Sequence, residues 1–76
     1  MSRQIELEIV GLAGEESARR AEAALRNNQG VIDARVLAGQ GRAFVLTAPG
    51  VILEHLLESL ETAGFLARPA APGDED

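Results

Sequence analysis

The sequence predicts an α+β fold in which a four-stranded antiparallel sheet carries two helices on one face. Three observations lead there: an opening run of strictly alternating apolar and acidic residues, two stretches with helical spacing, and a glycine-bearing link between two further short β-type runs. The 76 residues make one small domain, close to the size at which a single apolar core suffices without covalent staples. Cysteine is absent, which excludes disulfides, thiolate metal sites, sulfur nucleophiles and redox pairs.

Residues 4–10 place Ile5, Leu7 and Ile9 on one face and Glu6 and Glu8 on the other, the period of a half-buried strand. Gly11 ends it, and Gly14 stands where a helix would start, with Leu12 as the bulky apolar residue of the turn. Glu15 and Glu16 fall in the first helical turn, at the positive end of the helix dipole. Ala18, Ala21 and Leu25 then recur at helical spacing up to Asn28, and Glu15/Arg19, Glu16/Arg20 and Glu22/Arg26 are acid-to-base pairs four residues apart. Gly30 is expected to take the left-handed conformation that closes the helix.

Val31 to Leu37 and Arg42 to Thr47 read as two strands joined by a hairpin over Ala38-Gly39-Gln40-Gly41. After Ala48-Pro49-Gly50 a second helix is expected from Val51 to Ala63, with Leu53, Leu56, Leu57 and Leu60 as a broad stripe supplying most of the core and Glu54, Glu58 and Glu61 facing out. Gly64 ends it, and Phe65-Leu66-Ala67 is long enough for a brief edge strand. The domain is expected to span residues 1–68, followed by a disordered acidic tail over 69–76. Right-handed crossovers applied to this βαββαβ order give the ferredoxin-like sandwich, a fold that hosts many unrelated activities.

All seven cations are arginine, against twelve acids, for a net charge of -5. Without the three acids at 74–76, seven arginines face nine acids, a net of -2. This balance argues against general affinity for nucleic acid or an anionic membrane. No apolar run approaches the roughly 20 residues of a membrane span, and Met1-Ser2-Arg3-Gln4 lacks a signal-peptide core. The expected compartment is the cytoplasm, with no membrane insertion, as a free protein or as part of a larger cytoplasmic assembly.

Several stretches together resemble the heavy-metal-associated domain of copper chaperones and metal-pumping ATPases. They are Gly11-Leu12-Ala13-Gly14-Glu15-Glu16-Ser17, the Ala21-Glu22-Ala23-Ala24-Leu25 helix, Gly30-Val31, and Glu61-Thr62-Ala63-Gly64-Phe65, and the likeness runs over residues 5–67. In that family the turn reads G-M-T-C-x-x-C and its two thiolates hold a soft ion such as Cu(I). The resemblance implies that Gly11 stands for the glycine, Leu12 for the buried methionine, Ala13 for the threonine, Gly14 for the first cysteine and Ser17 for the second. It also sets Phe65 in place of the aromatic beside the site. The scaffold positions are kept and the ligands are not, since a hydroxyl is a poor ligand for a soft ion and glycine offers none.

Glu15, Glu16 and Ser17 could offer oxygens to a hard ion, but calcium or magnesium wants a fuller cage, and the dipole and the arginines already account for the glutamates. His55, with Glu54 beside it and Glu58 one turn on, lacks a third ligand. Gly11 and Gly14 lack the other marks of a phosphate-binding turn, and Glu15 and Glu16 would repel an anion. With one histidine, no cysteine and no lysine, no catalytic constellation can be assembled, and no enzyme is expected. No cofactor is expected either, although a metal ion remains compatible with the chain.

If Ala43 and Val45 face the helices, as the family register implies, Phe44 and Leu46 emerge on the open face of the sheet, where Val10 and Leu37 join them; a one-residue slip would bury Phe44 instead. Such a patch would meet a protein partner or a second copy of the chain. Arg19 and Arg20 on the first helix could dock an acidic partner, less their neutralisation by Glu15 and Glu16. Three roles follow. The first is a heavy-metal-associated-like domain with a degenerate site that serves protein contact in metal transport or homeostasis. The second is a carrier or sensor using oxygen ligands and His55, or a partner's cysteines. The third is a small-molecule-sensing regulatory domain.

Overall fold

The computed structural model describes residues 2–70, so of the tail expected over 69–76 all but the first two residues lie outside the described residues. In chain order the elements are β1 (Arg3–Val10), α1 (Glu15–Arg26), β2 (Val31–Leu37), β3 (Arg42–Thr47), α2 (Leu53–Thr62) and β4 (Leu66–Pro69). The strands form one antiparallel sheet in the order β2-β3-β1-β4. This is the ferredoxin-like arrangement that the sequence predicts.

Register decides what the sheet buries. Ile5 pairs with Val45 and Leu7 with Ala43, which sets these residues with Ile9, Ala34 and Val36 on the helix side. Ala18, Ala21 and Leu25 of α1 and Leu56 and Leu60 of α2 close over them. The second helix therefore does not supply most of the core; the sheet contributes as much, and Leu53 and Leu57 are only partly buried. Leu7, Leu25, Leu56 and Leu60 have no exposed surface. Truncating any of them to alanine would remove about 2–5 kcal/mol, much of what a domain of this size has in total.

Several local expectations are corrected. The first helix ends at Arg26, where the Asn28 side-chain amide donates to the Ala24 and Leu25 carbonyls at 3.2 Å each. Gly30 therefore does not cap it. Its φ of 91° sits in a turn closed by the Val31 amide donating to the Asn28 carbonyl, and a Cβ there would lie 2.6 Å from a Val51 methyl. Of the three expected acid-to-base pairs along α1, only Glu22–Arg26 comes within ion-pair distance, at 3.9 Å. The second helix starts at Leu53, because Val51 packs against the core and Ile52 is extended. The last strand starts at Leu66 and outruns its expected end. It includes Pro69, and the Ala70 amide donates to the Glu6 carbonyl at 3.0 Å.

Thr47 is fully buried and its hydroxyl has no hydrogen-bond partner among the described residues. An unsatisfied buried hydroxyl costs stability that an apolar group of the same shape does not. Thr47→Val should therefore raise the unfolding free energy by about 1 kcal/mol in urea titration; a loss would mean that the hydroxyl is hydrogen-bonded in solution.

Candidate metal loop and contact face

Between β1 and α1 the chain turns through Gly11 and Gly14, both at positive φ. Leu12 folds inward against the core, while Ala13, Gly14, Glu15 and Glu16 remain exposed. The resemblance assigned Leu12 an apolar anchoring role, and its packing matches.

Ser17 closes this loop. Its Oγ accepts a hydrogen bond from the Ala13 amide at 2.6 Å and donates one to the Gly14 carbonyl at 3.0 Å. The same carbonyl accepts the Ala18 amide at 3.1 Å, the first helical bond of α1. A side chain in the third helical position thus reaches back past the N-cap Gly14 to the amide of the residue before it. The hydroxyl is spent on the backbone.

Gly14 is held at φ 103° and ψ -173°, a conformation that side chains with a Cβ rarely adopt although the space around it is open. The two positions where the family resemblance would put thiolates thus hold a committed hydroxyl and a backbone shaped for glycine. These groups do not fit a soft ion. Glu15 and Glu16 add no cage, since among the described residues no three histidine, cysteine, aspartate or glutamate side chains gather where they could share a metal.

His55 is far from the loop. Arg3 pairs with Thr47, so the start of β1 and the end of β3 lie at one end of the sheet, and His55 lies there beside Asn28, Gly50 and Ile52. The loop lies at the other end of β1, and the structure does not bring His55 together with Glu15, Glu16 or Ser17.

Phe65 is buried beside α1, and its amide donates to the Leu60 carbonyl at 2.9 Å. The Arg20 guanidinium lies 5.5 Å from the centre of its ring and donates to the Ala63 carbonyl at 3.1 Å. Arg20 is thereby a clasp between α1 and the end of α2, held by a cation–π contact and a charge-assisted bond. Its neutralisation by Glu16 does not occur, because the ion pair is absent among the described residues. The guanidinium's partners lie 43 residues or more along the chain, beyond the reach of any local pattern.

On the open sheet face Phe44 and Leu46 emerge as the register implied. With Leu37, Gln4, Asp33 and Arg35 they line a shallow depression. Val10 does not join them. It pairs with Leu66 beyond a charged row in which Leu37, Arg42, Glu8 and Arg68 follow one another across the sheet. In that row Arg68 bonds Glu8 at 2.9 Å, and Arg42 bonds Glu6. The expected patch is therefore two separate pieces, Leu37, Phe44 and Leu46 on one side and Val10 with Leu66 on the other. Arg19 stands exposed on α1 with no ion pair among the described residues.

No family model and no curated protein matches the sequence. Solved structures do. The copper-binding domain from HMA7, a P-type ATPase, superposes with a TM-score of 0.87 at 37% identity, over 91% of this chain and 95% of that one. The N-terminal domain of PacS from Synechocystis PCC6803 gives 0.81 at 25% identity, covering 91% of this chain and 98% of its own. Oxidized MerP from Ralstonia metallidurans CH34 shares the fold, with a TM-score of 0.87 at 15% identity over 93% of this chain and 100% of that one. With the identity to the HMA7 domain carried across nearly the whole of both chains, and with the loop, helix and sheet placed as described, this chain belongs to the heavy-metal-associated domain family.

Proposed function

We propose that this chain is a heavy-metal-associated domain that does not load a soft ion itself and acts as a protein-contact module related to metal transport. The observation that carries the reading is the Ser17 hydroxyl, bonded on both sides to the loop backbone where the family resemblance would place a thiolate. Gly14 supports it, because restoring a side chain there works against the local backbone. The link to metal transport rests on the relatives, among them the copper-binding domain of a P-type ATPase.

The contact surface in this reading is the depression around Leu37, Phe44 and Leu46, with Arg35 and Asp33 at its rim. A half-exposed aromatic flanked by both signs of charge suits a partner surface of mixed character. A protein partner or a second copy of the chain would meet the sheet there. Arg19 offers a separate cation on α1, whereas Arg20 is engaged within the fold.

Competition against a chromophoric cuprous chelator tests the ligation part. The native chain should leave the chelator's copper in place, and the Gly14→Cys/Ser17→Cys double variant should withdraw it. Micromolar or tighter cuprous uptake by the native chain, with amide shifts at Gly14 and Ser17, would overturn the reading. For the contact part, amide spectra recorded across protein concentration should move Leu37, Phe44 and Leu46 if a second copy is the partner, and leave them fixed if the partner is a different protein.

The loop itself is open to measurement. Ser17→Ala removes both bonds of the hydroxyl and should lower the unfolding free energy by about 1 kcal/mol, with faster hydrogen exchange at the Ala13 amide. Gly14→Ala should cost about 1 kcal/mol or more through its positive φ. A Ser17→Ala chain as stable as the native one, with Ala13 exchange unchanged, would show that the hydroxyl does not hold the loop.

A further inference from the structure

The sheet has two edges, and they are treated differently. On β2 the Val36 amide and both backbone groups of Ala34 are already taken. The Val36 amide donates to Glu22 Oε2 at 2.9 Å, and Arg26 Nη2 donates to the Ala34 carbonyl at 2.8 Å and to Asp33 Oδ1 at 3.0 Å. The Ala34 amide donates to the Asp33 carboxylate at 2.9 Å. Side chains of α1 thus close this edge against another strand.

Among the described residues no such cover lies over β4. The Ala70 amide donates to the Glu6 carbonyl, which fixes the parity of the ladder: Ala70, Arg68 and Leu66 turn their backbone groups to β1, while Ala67 and Pro69 turn theirs outward. The outward set is the Ala67 amide and carbonyl and the Pro69 carbonyl. Beside it runs a groove lined by Leu57, Phe65, Leu66 and Ala67 and rimmed by Glu54, Glu58 and Glu61. Leu66 is 64% exposed, and none of the three glutamates forms an ion pair among the described residues. From residue 43 to residue 67 the sequence has no lysine or arginine to neutralise them.

We infer that the β4 edge and its groove bind an extended segment of another protein that adds as a strand and carries lysine or arginine at alternate positions. Main-chain bonds to Ala67 give such a segment its register, since strand addition needs only an unpaired edge. Side chains on its helix-side face meet Glu54, Glu58 and Glu61, and those on the other face lie against Leu66. A second copy of the chain is the wrong occupant, because it would bring two acid rims together on molecules of net charge -5. The chain's own Asp74, Glu75 and Asp76 carry the same unfavourable sign. This surface is distinct from the depression around Phe44, and the inference does not depend on contact there.

The test is a titration of the full chain, followed by amide NMR and hydrogen exchange, with a peptide of alternating lysine and valine and with an equally charged peptide of alternating lysine and proline, whose prolines remove every second donor and hold the chain in a polyproline form rather than a strand. The lysine–valine peptide should shift Leu57, Glu61, Leu66 and Ala67 and slow exchange at the Ala67 amide, while the lysine–proline peptide should not slow it. Glu58→Gln/Glu61→Gln, two exposed substitutions that leave the core intact, should weaken binding about three- to tenfold and flatten its salt dependence. The inference is overturned if shifts fall instead on Arg35, Phe44 and Leu46, if both peptides act alike at Ala67, if the glutamate variant binds unchanged, or if Ala67 becomes protected by raising protein concentration alone. None of these readouts uses metal, so the outcome is separate from that of the cuprous competition.

Discussion

The whole structure depends on the parity of one strand. Because Ile5, Leu7 and Ile9 alternate with Glu6 and Glu8, β1 can be buried on one side only, and it is the strand that both β3 and β4 pair with. A slip of one residue at either ladder would carry carboxylates into a core with no cation to meet them, at a cost of several kcal/mol for each. Phe44 follows from this constraint. With Val45 and Ala43 drawn inward opposite Ile5 and Leu7, the aromatic between them has only the open face left. The small residues reinforce the arrangement, since Ala18, Ala21, Ala34 and Ala43 let helix and sheet approach closely and leave the four buried leucines to fill the remaining volume.

Much of this was legible in the chain because alternation and helical spacing are local. The order of elements, the inward set of β1 and the buried stripe of α1 all come from residues within a few positions of one another. The failures have the opposite character. Arg20 leaves its expected partner Glu16 for Ala63 and Phe65, and Glu22 spends a carboxylate oxygen on the Val36 amide, contacts that exist only once the helix lies on the sheet. The expected second helix includes Val51 and Ile52, although both are β-branched and poor helix formers; Val51 packs beside Gly30, Ile52 is extended, and the first turn begins at Leu53. Pro69 marked the end of order in the sequence, but it lies on an edge strand with its missing donor turned outward, where a proline removes nothing from the ladder.

The loop shows where composition stops being informative. Absence of cysteine says that thiolates are missing; it does not say what replaced their part in holding the turn. In the structure that part falls to Ser17, whose two hydrogen bonds tie residues 13 and 14 to the first turn of α1. Serine side chains often bond backbone groups a few residues away, so a local bond of this kind was accessible to sequence reasoning that looked for backbone partners rather than for a ligand. Gly14 was not, because a glycine's φ is set by what its neighbours require. Hydroxyl and glycine together turn a loop that the family resemblance would expect to hold a metal into one stabilised by its own backbone.

Charge is distributed by the same economy. On the open face Arg42 and Arg68 are matched to Glu6 and Glu8, and at the β2 edge Arg26 is matched to Asp33 and Glu22. Arginines used in this way neutralise Glu6, Glu8, Asp33 and Glu22; of the acids without an ion pair among the described residues, Glu15 and Glu16 have Arg19 and Arg20 one turn along α1, whereas Glu54, Glu58 and Glu61 on α2 have no arginine near them in the sequence. A basic partner approaching the molecule would therefore be drawn to one side, and that side adjoins the sheet edge with open backbone groups. Steering of this kind acts on the rate of encounter and on orientation more than on final affinity, which the main-chain bonds and the exposed Leu66 would have to supply. The asymmetry between the edges thus has one physical origin: α1 carries Glu22 and Arg26, which bond the β2 backbone, whereas Glu54, Leu57, Glu58 and Glu61 of α2 line the groove beside β4 without bonding its backbone among the described residues.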